Sequence, residues 1–175
     1  MEDDLCILLF VLISWLILFV ILEFQIVNKK KNIVKKYFKE LNDNFEKRLD
    51  ILTKMLDIVK AYDKNQFDEF GSNLYDYTNN YQEYDYNKKL EVNELINNEI
   101  KKLLLASKVY PELQQLNKYV KLEKQLIRIE KVLNKLGIKY NKVLNEYNSR
   151  KKIFPSNLVC TICRFYSFNY YNINK

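Results

Sequence analysis

The fold is decided by residues 110–158, which read YPELQQLNKYVKLEKQLIRIEKVLNKLGIKYNKVLNEYNSRKKIFPSNL. Apolar residues in this stretch alternate steps of three and four, at Tyr119, Leu122, Leu126, Ile129, Leu133, Leu136, Tyr140, Val143 and Tyr147. Such a heptad seam is typical of a helix that packs lengthwise on other helices. We therefore expect the upstream helices to pack against this one.

A proline at each end limits this helix. Pro111 suits the first helical turn and disfavours the α conformation at Tyr110. The helix should then run to about Phe154. Gly137 lies inside it and should cost about 1 kcal/mol relative to alanine unless close packing requires it.

A short final helix is expected beyond the second proline. Pro155 stops the long helix, and Ser156 or Asn157 is a suitable cap for a helix from Leu158 to Phe165. The tail, residues 166–175, is expected to be poorly ordered.

Upstream, no helix-breaking residue occurs from Lys29 to Phe70. A second seam is present, at Val34, Phe38, Leu41, Phe45, Leu52, Met55, Val59 and Tyr62. Arg48 fills the one gap, where burial is costly unless a carboxylate meets the guanidinium. The alternative is that its stem packs while the guanidinium reaches solvent. Gly71-Ser72-Asn73 is predicted to stop this helix.

The middle of the chain joins these two helices. Residues 72–87 are rich in Tyr, Asn and Asp, and their weak periodicity predicts a loop or a frayed helix end. A second long helix is predicted from Lys88 to Val109, with a well-buried, leucine-rich end. Its apolar residues are Leu90, Val92, Leu95, Ile96, Ile100, Leu103, Leu104 and Leu105.

Three long helices with short connections must run up, down and up. The first and third are then roughly parallel. Arg48 and Glu130 each lie 19 residues past the start of their helix, counted from Lys29 and Pro111. We therefore hypothesise that Arg48 and Glu130 pair inside the bundle.

The N-terminal run predicts a membrane anchor. Leu5 to Leu22 is 18 residues without a charge, and spans roughly 27 Å, close to a hydrocarbon core. A cleaved signal peptide would need a basic start and a small-residue cleavage site, but the start is acidic and residues 23–27 offer no such site. A core helix would have a polar face, whereas this run shows only Ser14. Lysines follow the run, at Lys29, Lys30, Lys31, Lys35 and Lys36, and place that side in the cytoplasm.

The predicted fold class is therefore all-α. An N-terminal transmembrane helix is followed by an up-down-up bundle of three long helices plus a short C-terminal fourth helix. The segments are a short external N-terminus at 1–4, the anchor at 5–27, a cytoplasmic bundle at 29–165 and the tail at 166–175. The protein is expected to span the cytoplasmic membrane once, with its N-terminus outside.

Net charge and residue composition limit the kinds of binding and catalysis that the chain can support. Residues 1–28 carry −4, so against a total of +7 the rest of the chain carries +11. Lysines on solvated faces explain this excess, and attraction to anionic lipid or nucleic acid is the alternative. Histidine is absent, which removes the commonest general base and metal ligand. Cys160 and Cys163 form one Cys-x-x-Cys without the further ligands of a zinc site. They are interpreted as small apolar residues of a short helix, and a redox pair is the alternative.

Particular motifs carry a family resemblance. The C-terminal ones are Tyr110-Pro111-Glu112-Leu113, Glu130, Tyr140-Asn141, Tyr147-Asn148, Phe154-Pro155-Ser156-Asn157-Leu158, Phe165 and Tyr170. The N-terminal ones are Asn32, Val34, Arg48, Asp50-Ile51-Leu52 and Val59-Lys60-Ala61-Tyr62. With these the chain resembles the LemA family of bacterial membrane proteins. Gly137 stands where the family usually has an arginine, and Arg164 stands in its small-glycine turn. The resemblance implies an anchored cytoplasmic helical bundle, and no catalytic activity, cofactor or substrate.

Three functions follow, in order of preference. The first is a membrane-anchored helical protein, held in lipid through Leu5–Leu22, that binds an unidentified protein partner. The second is a basic module that binds a membrane surface or nucleic acid, with binding that weakens steeply with salt. Nucleic acid is disfavoured because the tyrosines of residues 75–86 sit among acids. The third is an enzyme, with Glu123 and Glu130 as candidate carboxylates and no cofactor or metal. No oligomeric state is predicted.

Overall fold

The computed structural model describes residues 2–61, 64–108 and 110–173, which contain helices and no strand. The all-α prediction is confirmed for these residues. Their helices are α1 (Glu2–Lys60), α2 (Lys64–Asn80), α3 (Tyr86–Ser107), α4 (Pro111–Gln115), α5 (Asn117–Lys152) and α6 (Ser156–Ile162), with a 3₁₀ turn at Tyr81–Glu83. The chain forms two compact units. Unit 1 comprises Met1–Lys36 and Asn141–Ser167, and unit 2 comprises Tyr37–Tyr140 and Phe168–Lys175.

The two predicted seams form the core of unit 2. From α1, this unit buries Phe38, Leu41, Phe45, Arg48, Leu52, Met55 and Val59. From α5, it buries Tyr119, Leu122, Leu126, Ile129, Leu133 and Tyr140. The heptad interpretation is therefore confirmed at these positions, because apolar residues at this spacing face one side of a helix.

Helix α2 corrects the predicted first helix. That helix ends at Lys60 rather than Phe70, and Gly71 lies inside α2 instead of stopping α1. Gly71 packs closely there, since a Cβ atom would lie 3.0 Å from Lys60 Cε. Residues 72–80 are helical rather than a loop. Their polar composition hid the helix because, among residues 72–80, only Leu74 is buried in the core.

Contacts within unit 2 give the direction of α2. Tyr75 bonds to Asp57 through its hydroxyl, and Gln82 Nε2, just beyond α2, lies 3.1 Å from Glu46 Oε1. Gln82 follows Tyr75 along the chain, whereas its partner Glu46 precedes Asp57, the partner of Tyr75. Helix α2 therefore runs antiparallel to α1.

Helices α3 and α5 lie along the same part of α1. Phe38 meets Tyr86 of α3, with ring centroids 4.5 Å apart, while Arg48 bonds to Asn97 further along both helices. Helix α3 therefore runs parallel to α1.

The last long helix runs antiparallel to α1. In unit 2, Arg48 meets Glu130 at 3.1 Å, and Phe38 meets Tyr140 with ring centroids 6.1 Å apart. This order differs from the predicted up, down and up arrangement, in which the first and last long helices were parallel. The physical reason is the break after Lys60, since α2 adds one more reversal of the chain.

Several predicted boundaries also move. Helix α5 begins at Asn117 rather than Pro111, because Leu116 is extended, with ψ 106°. Helix α6 spans Ser156–Ile162 instead of Leu158–Phe165. The end of α3 is only partly buried, with Leu105 64% exposed. Arg164 has φ 48°, the left-handed region that favours glycine. The resemblance described above implies a small-glycine turn at this position.

The predicted disorder of the tail is wrong for residues 168–173. Phe168 and Tyr171 are buried in unit 2. Tyr140 donates a hydrogen bond to the carbonyl of Asn169 at 2.8 Å, and the amide of Asn169 bonds to Asn87 Oδ1 at 2.9 Å. Aromatic residues anchor this segment, and their irregular spacing gives no helical or strand signal.

Unit 1 joins the apolar run to the end of α5. The large apolar side chains of residues 5–22 are 39–73% exposed, and α1 is long and apolar enough to cross a membrane. Lys30 lies 3.7 Å from Glu146, and Arg150 lies 2.6 Å from Glu23, so α5 is antiparallel to α1 in this unit.

Candidate functional site

A buried arginine organises the polar interior of unit 2. The side chain of Arg48 is 0% exposed. Its Nη1 donates to Asn97 Oδ1 at 2.8 Å and lies 3.1 Å from Glu130 Oε1. Its Nη2 donates to the backbone oxygen of Asn93 at 2.9 Å and to Asn93 Oδ1 at 2.6 Å. The hypothesis that Arg48 and Glu130 pair is confirmed, and the guanidinium does not reach solvent.

Tyr81 extends this cluster. Asn93 Nδ2 donates to the Tyr81 hydroxyl at 2.8 Å and to the carbonyl of Lys89 at 2.8 Å. Burial raises the pKa of Tyr81 well above its ordinary value. The phenol therefore stays neutral at physiological pH and serves as a hydrogen-bond partner rather than as a base.

The arrangement fits a structural role better than a catalytic one. A buried charge must be paired and hydrogen-bonded to be tolerated, and Arg48 receives both kinds of partner from α3 and α5. Sequence reasoning found Glu130 but missed Asn93 and Asn97. Their signal was available, because two asparagines four residues apart interrupt the apolar face of α3.

A polar cleft lies beside the arginine cluster in unit 2. Its volume is about 600 Å³. The lining residues are Asn97, Ile100, Lys101, Glu130, Asn134, Asn172 and Ile173. Amides and one lysine dominate its polar surface, and the carboxylate of Glu130 is already paired with Arg48. The cleft can hold water or a small polar molecule, but no nucleophile with an adjacent base lines it.

A second buried charge lies in unit 1. Glu23, one residue after the apolar run, is 7% exposed. Arg150 Nη2 donates to both of its carboxylate oxygens, at 2.6 and 2.8 Å. Ser156 Oγ donates to Oε2 at 2.6 Å. The predicted motif residue Ser156 therefore holds the start of α6 against α1.

Two motif tyrosines fasten the segment that follows α6, each within its own unit. In unit 2, Tyr140 bonds to the carbonyl of Asn169. In unit 1, the hydroxyl of Tyr147 donates to the carbonyl of Tyr166 at 2.8 Å. Burial raises the pKa of Tyr147 to about 12. Both hydroxyls are hydrogen-bond donors to backbone carbonyls in the interior.

The remaining motif residues are structural or exposed. Tyr110 is the N-cap of α4 and Pro111 its first residue, as predicted from the proline. The peptide bond between Phe154 and Pro155 is cis, and Phe154 is 71% exposed. The others are Asn141 and Asn148, which are half-buried, and Asn157, which is exposed. Tyr62 lies outside the described residues.

The cysteines form no centre in the described residues. Cys160 is a free buried thiol and Cys163 a free exposed one. Burial raises the pKa of the Cys160 thiol, which disfavours the reactive thiolate. No cluster of three metal-ligating side chains occurs in the described parts of the chain.

Comparison with curated proteins and with solved structures returned no match. The sequence model of the LemA family does match, over residues 37–175. This span includes all of unit 2, the arginine cluster and the motifs that fasten α6 and the returning segment. The chain belongs to the LemA family.

Proposed function

We propose that this protein is a single-pass membrane protein whose helical part serves as an interaction scaffold on the cytoplasmic face. The apolar run of α1 supports the anchor, since its side chains are exposed over a length that matches a bilayer. The lysines that follow it support a cytoplasmic location for the rest of the chain. The proposal includes no catalytic step, because the buried charged groups described above are bonded to one another.

One observation carries the interaction role. Helix α5 presents six basic residues on one exposed side, hereafter the α5 stripe: Lys121, Lys124, Arg128, Lys131, Lys135 and Lys139. At 100° per residue they fall within an arc of about 80°, over about 27 Å of helix. The glutamates of the same stretch, Glu123 and Glu130, project from the opposite side.

The stripe is available for binding. All six side chains are exposed, and none takes part in the ion pairs formed among the described residues. Like charges held this close along one line repel one another. An acidic partner relieves that repulsion and is attracted over a distance of about 10 Å at physiological salt.

An adjoining groove favours a protein partner over nucleic acid. It has a volume of about 380 Å³ and lies between α1 and α5 in unit 2. Ile51, Ile129 and Val132 give it an apolar floor. Its polar lining consists of Lys47, Arg128, Gln125 and Asp50, and the Asp50 carboxylate is paired with Lys54 at 2.6 Å. An amphipathic acidic helix satisfies both features, with apolar side chains in the groove and carboxylates on the stripe. Nucleic acid uses only the charges.

The test is a crosslinked pull-down of the full-length protein from intact membranes. One variant carries Lys131→Glu, Lys135→Glu and Lys139→Glu. A matched control carries the same charge change at exposed positions off the stripe, Lys101→Glu, Lys108→Glu and Lys118→Glu. We expect the natural chain and the control to recover the same protein in similar amounts. The stripe variant should recover at least tenfold less of it.

Equal recovery by both variants would remove the stripe from the proposal. Recovery of nucleic acid or lipid alone, lost with the stripe and weakened steeply by salt, would replace the scaffold with the anionic-binding alternative.

A further inference from the structure

Helix α6 exposes an apolar surface in unit 1. Leu158 is 53% exposed and Ile162 is 78% exposed, and residues four apart share one side of a helix. Ile153 and Phe154, just before α6, are 52% and 71% exposed. We call these four residues the α6 patch. Four large apolar side chains exposed within residues 153–162 mark an interaction surface.

The position of the patch follows from the contacts of Glu23. Ser156, the first residue of α6, bonds to Glu23 at 2.6 Å, and Arg150 near the end of α5 bonds to it as well. Glu23 directly follows Leu22, the last residue of the apolar run. Because α5 runs towards this level and α6 begins there, the patch lies where the apolar run ends.

The surroundings of the patch resemble a membrane interface. The charge of Glu23 is buried and neutralised by Arg150, so no uncompensated acid faces this level. Phe24 and Ile26 on α1 are 40% and 42% exposed and extend the apolar surface. Exposed basic residues stand at both ends of α6, Lys152 and Arg164. Apolar side chains flanked by lysine and arginine are the composition of interfacial segments.

We propose that the α6 patch inserts into the bilayer at the boundary between headgroups and acyl chains, in the leaflet that Leu22 of the anchor reaches. The occupant of this surface is lipid, and Lys152 and Arg164 contact anionic headgroups. This inference rests on the proposed anchoring by α1. It adds a second membrane contact and gives the exposed Phe154 of the family motif a role.

The patch is continuous with the apolar run of the proposed anchor, and this favours lipid over a protein partner or a second copy. The anchor holds α6 beside the bilayer permanently, so insertion costs little additional loss of freedom. A protein partner would have to compete with the bilayer for the patch.

The experiment measures the surroundings of single labelled cysteines in the full chain. The background carries Cys6→Ser, Cys160→Ala and Cys163→Ser. Single cysteines are then introduced by Leu158→Cys or Ile162→Cys, and labelled with nitrobenzoxadiazole. Ile13→Cys is the control inside the anchor, and Asn145→Cys is the control on the exposed side of α5.

The protein is reconstituted in vesicles of phosphatidylethanolamine and phosphatidylglycerol. Quenching by doxyl-labelled lipid reports contact with the bilayer, and quenching by iodide reports contact with water. We expect the patch positions to be quenched by a shallow doxyl label at least three times as strongly as Asn145→Cys, and to be protected from iodide. Circular dichroism melting identifies any variant that fails to fold, and Ile153→Cys then takes its place.

The remaining outcomes overturn the inference. Iodide quenching without doxyl quenching at the patch, with Ile13→Cys still quenched by lipid, would leave the anchor intact and place the patch in water. Protection from both quenchers would assign the patch to a second copy of the chain. Absence of lipid quenching at Ile13→Cys would overturn the anchor, and the patch proposal with it.

Discussion

Arg48 is the largest side chain that the described part of unit 2 buries completely. An isolated charge in that position would cost several kcal/mol. Its partners come from two other helices: Asn93 and Asn97 of α3 and Glu130 of α5. The cluster therefore fixes the register of three helices at one level, which apolar packing alone does less precisely.

Replacing Glu130 tests this arrangement at the residue scale. Glu130→Gln keeps an acceptor but removes the charge opposite Arg48. Because the side chain of Glu130 is 23% exposed, we expect a loss of about 1–2 kcal/mol in the free energy of unfolding rather than the larger loss of a fully buried pair. Thermal melting of the detergent-solubilised full chain measures this loss.

Glu91→Gln is the matched control for that variant. It removes one member of an exposed pair, with Lys88 at 2.9 Å, and should cost less than about 0.5 kcal/mol. An unchanged melting temperature for Glu130→Gln would contradict the role given to the cluster.

At the scale of elements, Gly137 shows how α5 accommodates the returning segment. A Cβ atom at this position would collide with the ring of Tyr171, meeting Cδ1 and lying 2.6 Å from Cε1. The sequence leaves open whether this glycine merely weakens the helix or permits close packing. The structure supports close packing.

Gly137→Ala should therefore destabilise the natural chain by about 1–3 kcal/mol through overpacking. In a Tyr171→Ala background the same change should stabilise by up to about 1 kcal/mol, since only helix propensity remains. Chemical denaturation of the natural chain, the two single variants and the double variant gives the effect of Gly137→Ala on the free energy of unfolding in each background. A stabilisation in both backgrounds would show that the ring does not restrict position 137.

The helices also show which features of the fold can be predicted from this sequence. Heptad spacing predicted the buried faces of α1 and α5, and the missing seam residue singled out Arg48. The break after Lys60 was not predicted, because no proline precedes it and Gly71 offered a plausible later stop. Burial of Phe168 and Tyr171 was not predicted either, because an irregular segment held by two aromatic rings has no periodic signal.

At the scale of the molecule, α1 has two tasks in one continuous helix. Its first part is apolar and exposed, and its later part supplies the seam of unit 2. The proposed scaffold function requires the apolar part to lie in the membrane and the chain to have the predicted orientation.

The most direct test of that account is to determine on which side of the membrane residues 3 and 163 lie. Two variants of the full protein each carry one cysteine, either Asp3→Cys or the natural Cys163, with the other cysteines replaced as above. Intact and permeabilised bacterial cells are labelled with a membrane-impermeant maleimide. We predict that Asp3→Cys reacts in intact cells and that Cys163 reacts only after permeabilisation. Reaction of Cys163 in intact cells, or recovery of the protein in the soluble fraction after lysis, would contradict a cytoplasmic scaffold held by α1.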